Sequence, residues 1–118
     1  MLLISPFIDF LLSSSGVLKL ADFGLARIYL PNKTEKLSHQ VCTRQYRAPE
    51  LLFASTTYDF AVDIWSMAVI FVELITLQTF FPSHNDIDQM YKVFQVMGSP
   101  TPVRWPVRSP PFIFFFSI

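Results

Sequence analysis

The sequence is poor in cysteine and glycine, and its acidic and basic residues balance. Cys42 is the only cysteine, which excludes an intrachain disulfide and suits a reducing compartment. The formal net charge of zero gives no electrostatic case for binding nucleic acid or an anionic membrane surface. The apolar stretch at residues 1–15 is interrupted by Pro6 and Asp9 and is too short to cross a bilayer. We therefore expect neither nucleic acid nor a membrane as a partner.

What the chain has in abundance is apolar side chains. Its 118 residues are 52% hydrophobic and include 13 phenylalanines, many of them near the two ends. This composition argues against disorder throughout, and the length suggests one domain or a piece of one. The final stretch, residues 107–118, is rich in proline and phenylalanine, and its prolines exclude a regular helix.

Two helices are predicted from periodicity and end signals. Residues 60–76, with Asp59 as a candidate N-cap, are apolar on nearly all sides, which predicts burial in a protein core. Residues 86–97 have Asn85 or Ser83 as a candidate N-cap and Gly98 as a stop. One side of this second helix carries apolar residues that we expect to face the core: Ile87, Met90, Tyr91, Phe94 and Met97.

The central motif begins with Asp22-Phe23-Gly24 and ends with Ala48-Pro49-Glu50. A β-prone segment, residues 17–20, precedes it, and the text TRQYRAPE and later DIWS follow in order. This arrangement resembles the activation segment of eukaryotic serine/threonine protein kinases of the cyclin-dependent and MAP kinase group. The stretches SHQVCTRQYRAPELL, NDIDQ and GSPTPVRWP look most similar to cell-cycle-related, cyclin-dependent-kinase-like members.

The resemblance implies a mainly α fragment of the protein-kinase-like fold, taken from the large lobe, with one short β-strand before Asp22-Phe23-Gly24. It covers residues 16–106, as a partial kinase domain. We expect residues 1–15 to be irregular, with inserted text from Pro6 to about Ser13, and residues 107–118 to be foreign to the family. In this alignment Met1 stands where the family has the metal-binding asparagine of its catalytic loop.

The resemblance also implies ATP and Mg²⁺ as cofactors of the complete kinase. Asp22 would hold Mg²⁺ against the phosphates, Phe23 would pack to set its position, and Gly24 would permit the backbone turn. Thr43 would orient the catalytic aspartate. Ser38 stands where such kinases carry an activating phosphate, which would gather Arg47 and Arg27.

The substrate pocket implied by the resemblance consists of Thr43, Arg44, Gln45 and Arg47. Arg47 matches an arginine associated with proline after the target hydroxyl, whereas Gln45 replaces the usual tryptophan of the pocket wall. Structural roles are expected for Glu50, which would pair with a late arginine, for Asp63, which would brace the catalytic loop, and for Trp65.

Several kinase motifs are missing from this sequence. It has no Gly-x-Gly-x-x-Gly loop, no Val-Ala-Ile-Lys strand and no His-Arg-Asp. We therefore expect a fragment of a proline-directed serine/threonine kinase that is inactive in isolation. The complete enzyme would act on Ser/Thr-Pro proteins in the cytoplasm or nucleus, with a cyclin or other activator and an upstream kinase for Ser38.

Two other interpretations remain open at this point. The chain could be a non-catalytic binding module that competes for the partners of an intact kinase. It could also be a truncated product of gene prediction or splicing that has no function of its own.

Overall fold

The computed structural model describes residues 2–4, 9–29 and 36–99. Four short strands come first: β1 (Leu2–Ile4), β2 (Asp9–Leu12), β3 (Leu18–Ala21) and β4 (Arg27–Tyr29). A 3₁₀ turn (Arg44–Tyr46) then leads into the helices α1 (Pro49–Leu52), α2 (Ala61–Thr76) and α3 (Asp86–Met97). Among these residues no helix is long and apolar enough to span a membrane.

The strands form two antiparallel pairs. β2 pairs with β3, with Asp9 opposite Ala21 and Leu12 opposite Leu18, and β1 pairs with β4. The tight turn of the β2–β3 hairpin is closed by a hydrogen bond from the Ser13 N–H to the Val17 carbonyl, and its Gly16 has a φ of 79°. Glycine adopts this conformation without steric cost, which explains its place in the turn.

The expected strand before Asp22 is present as β3, and three further strands accompany it. Residues 1–15 were expected to be irregular, with inserted text from Pro6 to about Ser13, yet they contain β1 and β2. The physical reason is the order of the residues: a short apolar run, then Ser-Ser-Ser-Gly, then a second β-prone run, which together specify a hairpin. β2 therefore forms one strand of the β2–β3 hairpin and is not irregular inserted text.

Helix α2 begins one residue later than predicted, at Ala61. The Asp59 carboxylate accepts a hydrogen bond from the Ala61 N–H at 2.8 Å, so Asp59 does satisfy a free donor of the first turn. The helix ends at Thr76, and Leu77 follows with a left-handed φ of 55°.

The predicted burial of α2 on all sides is wrong for the chain as described. Only Val62 and Val69 are buried, whereas a continuous stripe of large apolar side chains is 39–67% exposed: Phe60, Ile64, Met67, Phe71, Leu74 and Ile75. Residues of the segments 36–59 and 80–97 pack around Val62 and Val69. The helix is apolar, as predicted, but within the described residues only one side of it is buried.

Helix α3 has the predicted ends. The Asn85 side chain accepts the Asp88 N–H at 2.8 Å, and Gly98 follows the last turn with a φ of 80°. The predicted core-facing stripe is wrong in part, because Ile87, Tyr91 and Met97 are exposed.

The buried face of α3 is instead centred on Gln89 and Val93, which are fully buried. Gln89 satisfies one of its buried polar groups by donating from Nε2 to the Gln45 carbonyl at 3.2 Å. The sequence pattern considered only apolar residues and therefore did not include Gln89. For this reason the predicted buried face of α3 was centred on the wrong residues.

Two small buried clusters form the core. One consists of Val41, Ala48, Leu51 and Val62, and the other of Val69, Phe81 and Val93. Trp65 packs against both clusters, and its ring stacks on Phe81 with centroids 6.5 Å apart. Val41, Ala48 and Leu51 anchor residues 41–52 in this core, and the same stretch contains the predicted substrate pocket.

Candidate substrate-binding and metal-binding site

Residues 41–47 form the loop that was predicted to line the substrate pocket, and this loop is called the substrate loop below. Its backbone has an unusual conformation at Cys42. Its φ of 66° lies in the left-handed region, which costs a non-glycine residue roughly 1–3 kcal/mol and persists only where surrounding contacts impose it. Arg47 provides those contacts: Nε donates to the Val41 carbonyl and Nη2 to the Cys42 carbonyl, both at 3.0 Å. One guanidinium thus engages two successive carbonyls of the loop.

Arg44 and Arg47 share one carboxylate, that of Asp86 at the first position of α3. Arg44 Nε lies 2.9 Å from Asp86 Oδ1, and Arg47 Nη1 lies 3.3 Å from Oδ2. Arg44 Nη1 also donates to the His84 carbonyl at 3.0 Å. The arginines of the loop are therefore attached to α3, about 40 positions away in sequence.

The substrate loop is also fixed to α2. Tyr46 donates from its hydroxyl to Glu73 Oε2 at 3.0 Å, and Glu73 Oε1 accepts the Phe80 N–H at 2.9 Å. Burial and the neighbouring Glu73 carboxylate raise the pKa of Tyr46, which keeps the hydroxyl protonated as a donor. The Ser66 hydroxyl lies 2.8 Å from the Tyr46 carbonyl. Loop, α2 and α3 form one cross-linked unit.

The other predicted pocket residues sit on this unit with fewer contacts. Thr43 is exposed, and its carbonyl accepts the Tyr46 N–H at 2.9 Å. Gln45 is half-buried, with its carbonyl bound by Gln89. The Cys42 thiol is buried, and desolvation raises its pKa, which disfavours the nucleophilic thiolate.

Asp22 lies at the end of β3 with its side chain exposed. It has a left-handed φ of 59°, and its Oδ1 accepts the Gly24 N–H at 3.1 Å. Gly24 was expected to permit the backbone turn, but the residue with a left-handed φ is Asp22. Gly24 serves a different purpose, because a Cβ at this position would approach Asp22 Oδ1 to 3.1 Å. Phe23, expected to pack, is 53% exposed.

The structure brings a residue to Asp22 that the sequence reasoning missed. The β2–β3 register places Asp9 opposite Ala21, so Asp9 lies at the same end of the hairpin as Asp22. Met1, which was expected to stand at the family's metal-binding asparagine, lies outside the described residues. The available signal was the hairpin pattern itself, since counting back across the Ser-Ser-Ser-Gly turn leads from Asp22 to Asp9.

Asp22 carries the carboxylate expected to hold Mg²⁺, and Asp9 is a second aspartate at the same end of the hairpin. Carboxylate oxygens are the ligands that Mg²⁺ prefers, and Mg²⁺ commonly takes one or two of them together with waters and phosphate oxygens. Among residues 2–4, 9–29 and 36–99 no group of three or more potential metal-binding side chains occurs.

Ser38 is exposed, and its carbonyl accepts a hydrogen bond from the Tyr58 hydroxyl at 2.5 Å. Burial raises the pKa of Tyr58, and the positive charge of Arg27 opposes this shift. Arg47 was expected to join Arg27 there. Its guanidinium is instead engaged by the Val41 and Cys42 carbonyls and by Asp86.

Glu50 and Asp63 are half-buried on the first turns of α1 and α2. Burial raises the pKa of Glu50, and the negative charge of Asp59 adds to the shift. Within residues 36–99 no cationic side chain forms an ion pair with the Glu50 carboxylate. The late arginine that the resemblance predicts as its partner is therefore not among these residues.

Comparison with known proteins agrees with this arrangement. The profile of the protein kinase domain family matches residues 9–116. The chain belongs to the protein kinase family. The match begins at Asp9, the first residue of β2, and is wider than the range 16–106 expected from the motifs.

The relatives place the chain in the cyclin-dependent-kinase-like group, as predicted. It is 48% identical over 98 residues to human cyclin-dependent kinase 20, covering 83% of this chain and 28% of that protein. It is 48% identical over 99 residues to cyclin-dependent kinase 7 of Caenorhabditis elegans, covering 83% and 29%. The chain thus spans less than a third of the length of these relatives.

Solved structures confirm the protein-kinase-like fold. The CAK complex of Chaetomium thermophilum bound to ATP-γ-S matches with a TM-score of 0.80 and 38% identity, over 88% of this chain and 33% of that one. The yeast RNA polymerase II CTD kinase CTDK-1 complex matches with a TM-score of 0.80 and 34% identity, over 88% and 34%.

Proposed function

We propose that this chain forms the substrate-binding surface and activation segment of a serine/threonine kinase that transfers the γ-phosphate of MgATP to hydroxyls followed by proline. Family membership supports the reaction class. One observation carries the proline preference: the left-handed Cys42 whose carbonyl, together with that of Val41, is taken by Arg47.

The preference follows from hydrogen bonding. A substrate residue lying against the loop after the target hydroxyl needs an acceptor for its backbone N–H. With both loop carbonyls engaged by Arg47, an ordinary residue there would lose that hydrogen bond, at a cost of about 1–3 kcal/mol. Proline has no N–H and loses nothing.

The test compares fluorescent peptides that differ only at this position: Ser-Pro, Ser-Ala and Ser-(N-methyl-Ala). Fluorescence anisotropy with the full chain gives each affinity. We expect the Ser-Pro and N-methyl peptides to bind about 5- to 150-fold more tightly than Ser-Ala. Equal affinity for all three would refute the proposal. Preference for proline alone would point to ring contacts in place of a missing N–H.

Asp22 and Asp9 would hold Mg²⁺ on the phosphate side. When bound, the ion neutralises charge on the phosphate oxygens during transfer. Gly24 holds Asp22 Oδ1 through its N–H, which fixes the carboxylate direction. The sequence lacks the phosphate lysine and the catalytic base motifs, so we expect no transfer by the isolated chain. ATP-dependent phosphorylation of a Ser-Pro peptide that Asp22→Asn abolishes would contradict this expectation.

Regulation by phosphorylation of Ser38 and by an activating subunit completes the proposal. Ser38 is exposed, and its carbonyl accepts a hydrogen bond from Tyr58, whose pKa is influenced by the positive charge of Arg27. Both solved neighbours described above are kinases within complexes, which favours a cyclin or similar partner here. An upstream kinase would add the phosphate to Ser38.

A second function, competition for the partners of an intact kinase without catalysis, is favoured by one observation. The substrate loop is cross-linked to α1, α2 and α3 within the chain and has its own small core. A binding surface can therefore persist without a catalytic site. Thermal unfolding tests this directly: a cooperative transition supports it, and aggregation without a transition removes it.

A further inference from the structure

The Asp86 carboxylate contacts both arginines of the substrate loop. It lies at the first position of α3, with Oδ1 on Arg44 Nε at 2.9 Å and Oδ2 near Arg47 Nη1 at 3.3 Å. Its side chain is 47% exposed, whereas that of Arg47 is 14% exposed. Asp86 thus reaches inward from the surface to a guanidinium that is almost covered.

The contact matters because guanidinium is planar. Its five N–H donors form a rigid fork, so fixing one edge fixes the direction of the others. Arg47 uses Nε and Nη2 on the Val41 and Cys42 carbonyls. Asp86 binds the remaining Nη1 at 3.3 and 3.4 Å from its two oxygens. The carboxylate therefore restrains rotation of the group that holds Cys42 left-handed.

We propose that Asp86 is a positioning residue for substrate selection, acting through Arg47 to keep the two loop carbonyls unavailable to substrate. The inference rests on the proposed function and deepens it. Asp86 itself need not touch the substrate. Arg44 contributes by binding the same carboxylate and the His84 carbonyl, which holds Asp86 toward the loop.

The competing explanation is a local effect on α3. An acidic residue in the first turn stabilises a helix through its dipole, independently of the substrate loop. Asp88 is a matched control, since it occupies the same first turn and contacts the His84 N–H and Lys92 but neither arginine. Asp88→Asn removes the same charge from the same helix end while leaving the arginine contacts.

The experiment uses the full chain with Asp86→Asn, Asp86→Glu and Asp88→Asn. Two quantities are measured for each: the affinity ratio of the Ser-Pro and Ser-Ala peptides, and the solvent exchange of the Arg47 Nε–H signal by ¹⁵N NMR. We expect Asp86→Asn to lower the ratio by roughly threefold or more and to speed Arg47 exchange. Asp86→Glu should restore part of both, and Asp88→Asn should change neither.

The outcomes separate this inference from the proposed function. If the wild-type chain shows no Ser-Pro preference, the proposed function fails and the selective role of Asp86 fails with it. If the wild type prefers Ser-Pro and Asp86→Asn keeps both the ratio and the slow Arg47 exchange, only the role of Asp86 is overturned. An equal loss in Asp88→Asn would assign the effect to the helix end and would also overturn it.

Discussion

Residues 41–52 and residues 9–29 carry the two halves of the proposed chemistry, and the chain holds them in different ways. The first region packs on a buried core and is cross-linked by side chains to α2 and α3. In the second, residues 11–20 are all exposed, and the hydrogen bonds are mostly local to the hairpin and its turns.

The difference teaches which part of the proposed site is self-sufficient. The substrate loop obtains its conformation from contacts made inside the chain. The aspartates proposed to bind the metal are positioned by a two-stranded hairpin, and an isolated hairpin is marginally stable in water. The phosphate side of the site therefore relies on additional protein much more than the substrate side does.

The largest expected effect is on stability, from removal of the Phe81 ring. Phe81 is 2% exposed and contacts the rings of Trp65 and Phe80. We expect Phe81→Ala to lower the free energy of unfolding by about 3–5 kcal/mol, as for other buried phenylalanines. Urea denaturation measures it. The matched change in the hairpin, Leu11→Ala, should lower the free energy of unfolding far less, because Leu11 is exposed. A similar loss for both variants would contradict the contrast between the two regions.

The second prediction concerns divalent-cation binding by the hairpin region. Asp22→Asn should weaken Mn²⁺ binding, measured by calorimetry, by at least about tenfold. Asp9→Asn should also weaken it, because each of the two substitutions removes one carboxylate charge from the proposed site and leaves an amide oxygen. Asp59→Asn, a change of the same charge at the start of α2, should leave binding unchanged. Unaltered binding in Asp22→Asn would exclude this aspartate as a ligand.

The third prediction concerns an ion pair between phosphorylated Ser38, which precedes residues 41–52 in sequence, and Arg27 of the region 9–29. A phosphate on Ser38 should pair with Arg27 and protect the neighbouring segment from proteolysis by a few-fold, on the order of 1 kcal/mol of local stabilisation. Arg27→Ala should abolish the protection, whereas Lys19→Ala, which removes a charge elsewhere in the hairpin, should not. Protection that survives Arg27→Ala would assign the phosphate to another partner.

The smallest expected effect is a pH dependence from Glu50. Burial raises the pKa of Glu50, so above about pH 4.5 the folded state retains a proton that the unfolded state releases. The contribution of Glu50 to stability is therefore present at lower pH and lost as the pH rises through the folded pKa. Glu50→Gln should reduce the fall in the free energy of unfolding with rising pH, as measured by urea denaturation at several pH values. The change in free energy should be smaller than that caused by Phe81→Ala. An unchanged slope would show that Glu50 is not responsible.

Local signals predicted the helices and their ends well. Asn85, Gly98 and Asp59 act at helix termini through their own neighbours, so their effect can be read from adjacent residues. The same is true of Asp22-Phe23-Gly24, which identified the family. Burial was predicted poorly, because the exposed stripe on α2 and the buried Gln89 of α3 depend on which elements are present to cover them.

By itself, the sequence determined the family, the strand before Asp22, the helices and the residue types available for metal and substrate. Only the tertiary structure decided how they meet. Asp9 reached Asp22 through strand register, and Arg47 met Asp86 across 39 positions of sequence. A left-handed cysteine has no propensity signal, because its conformation is imposed by a guanidinium that binds two carbonyls. Such contacts form only once distant segments have packed together.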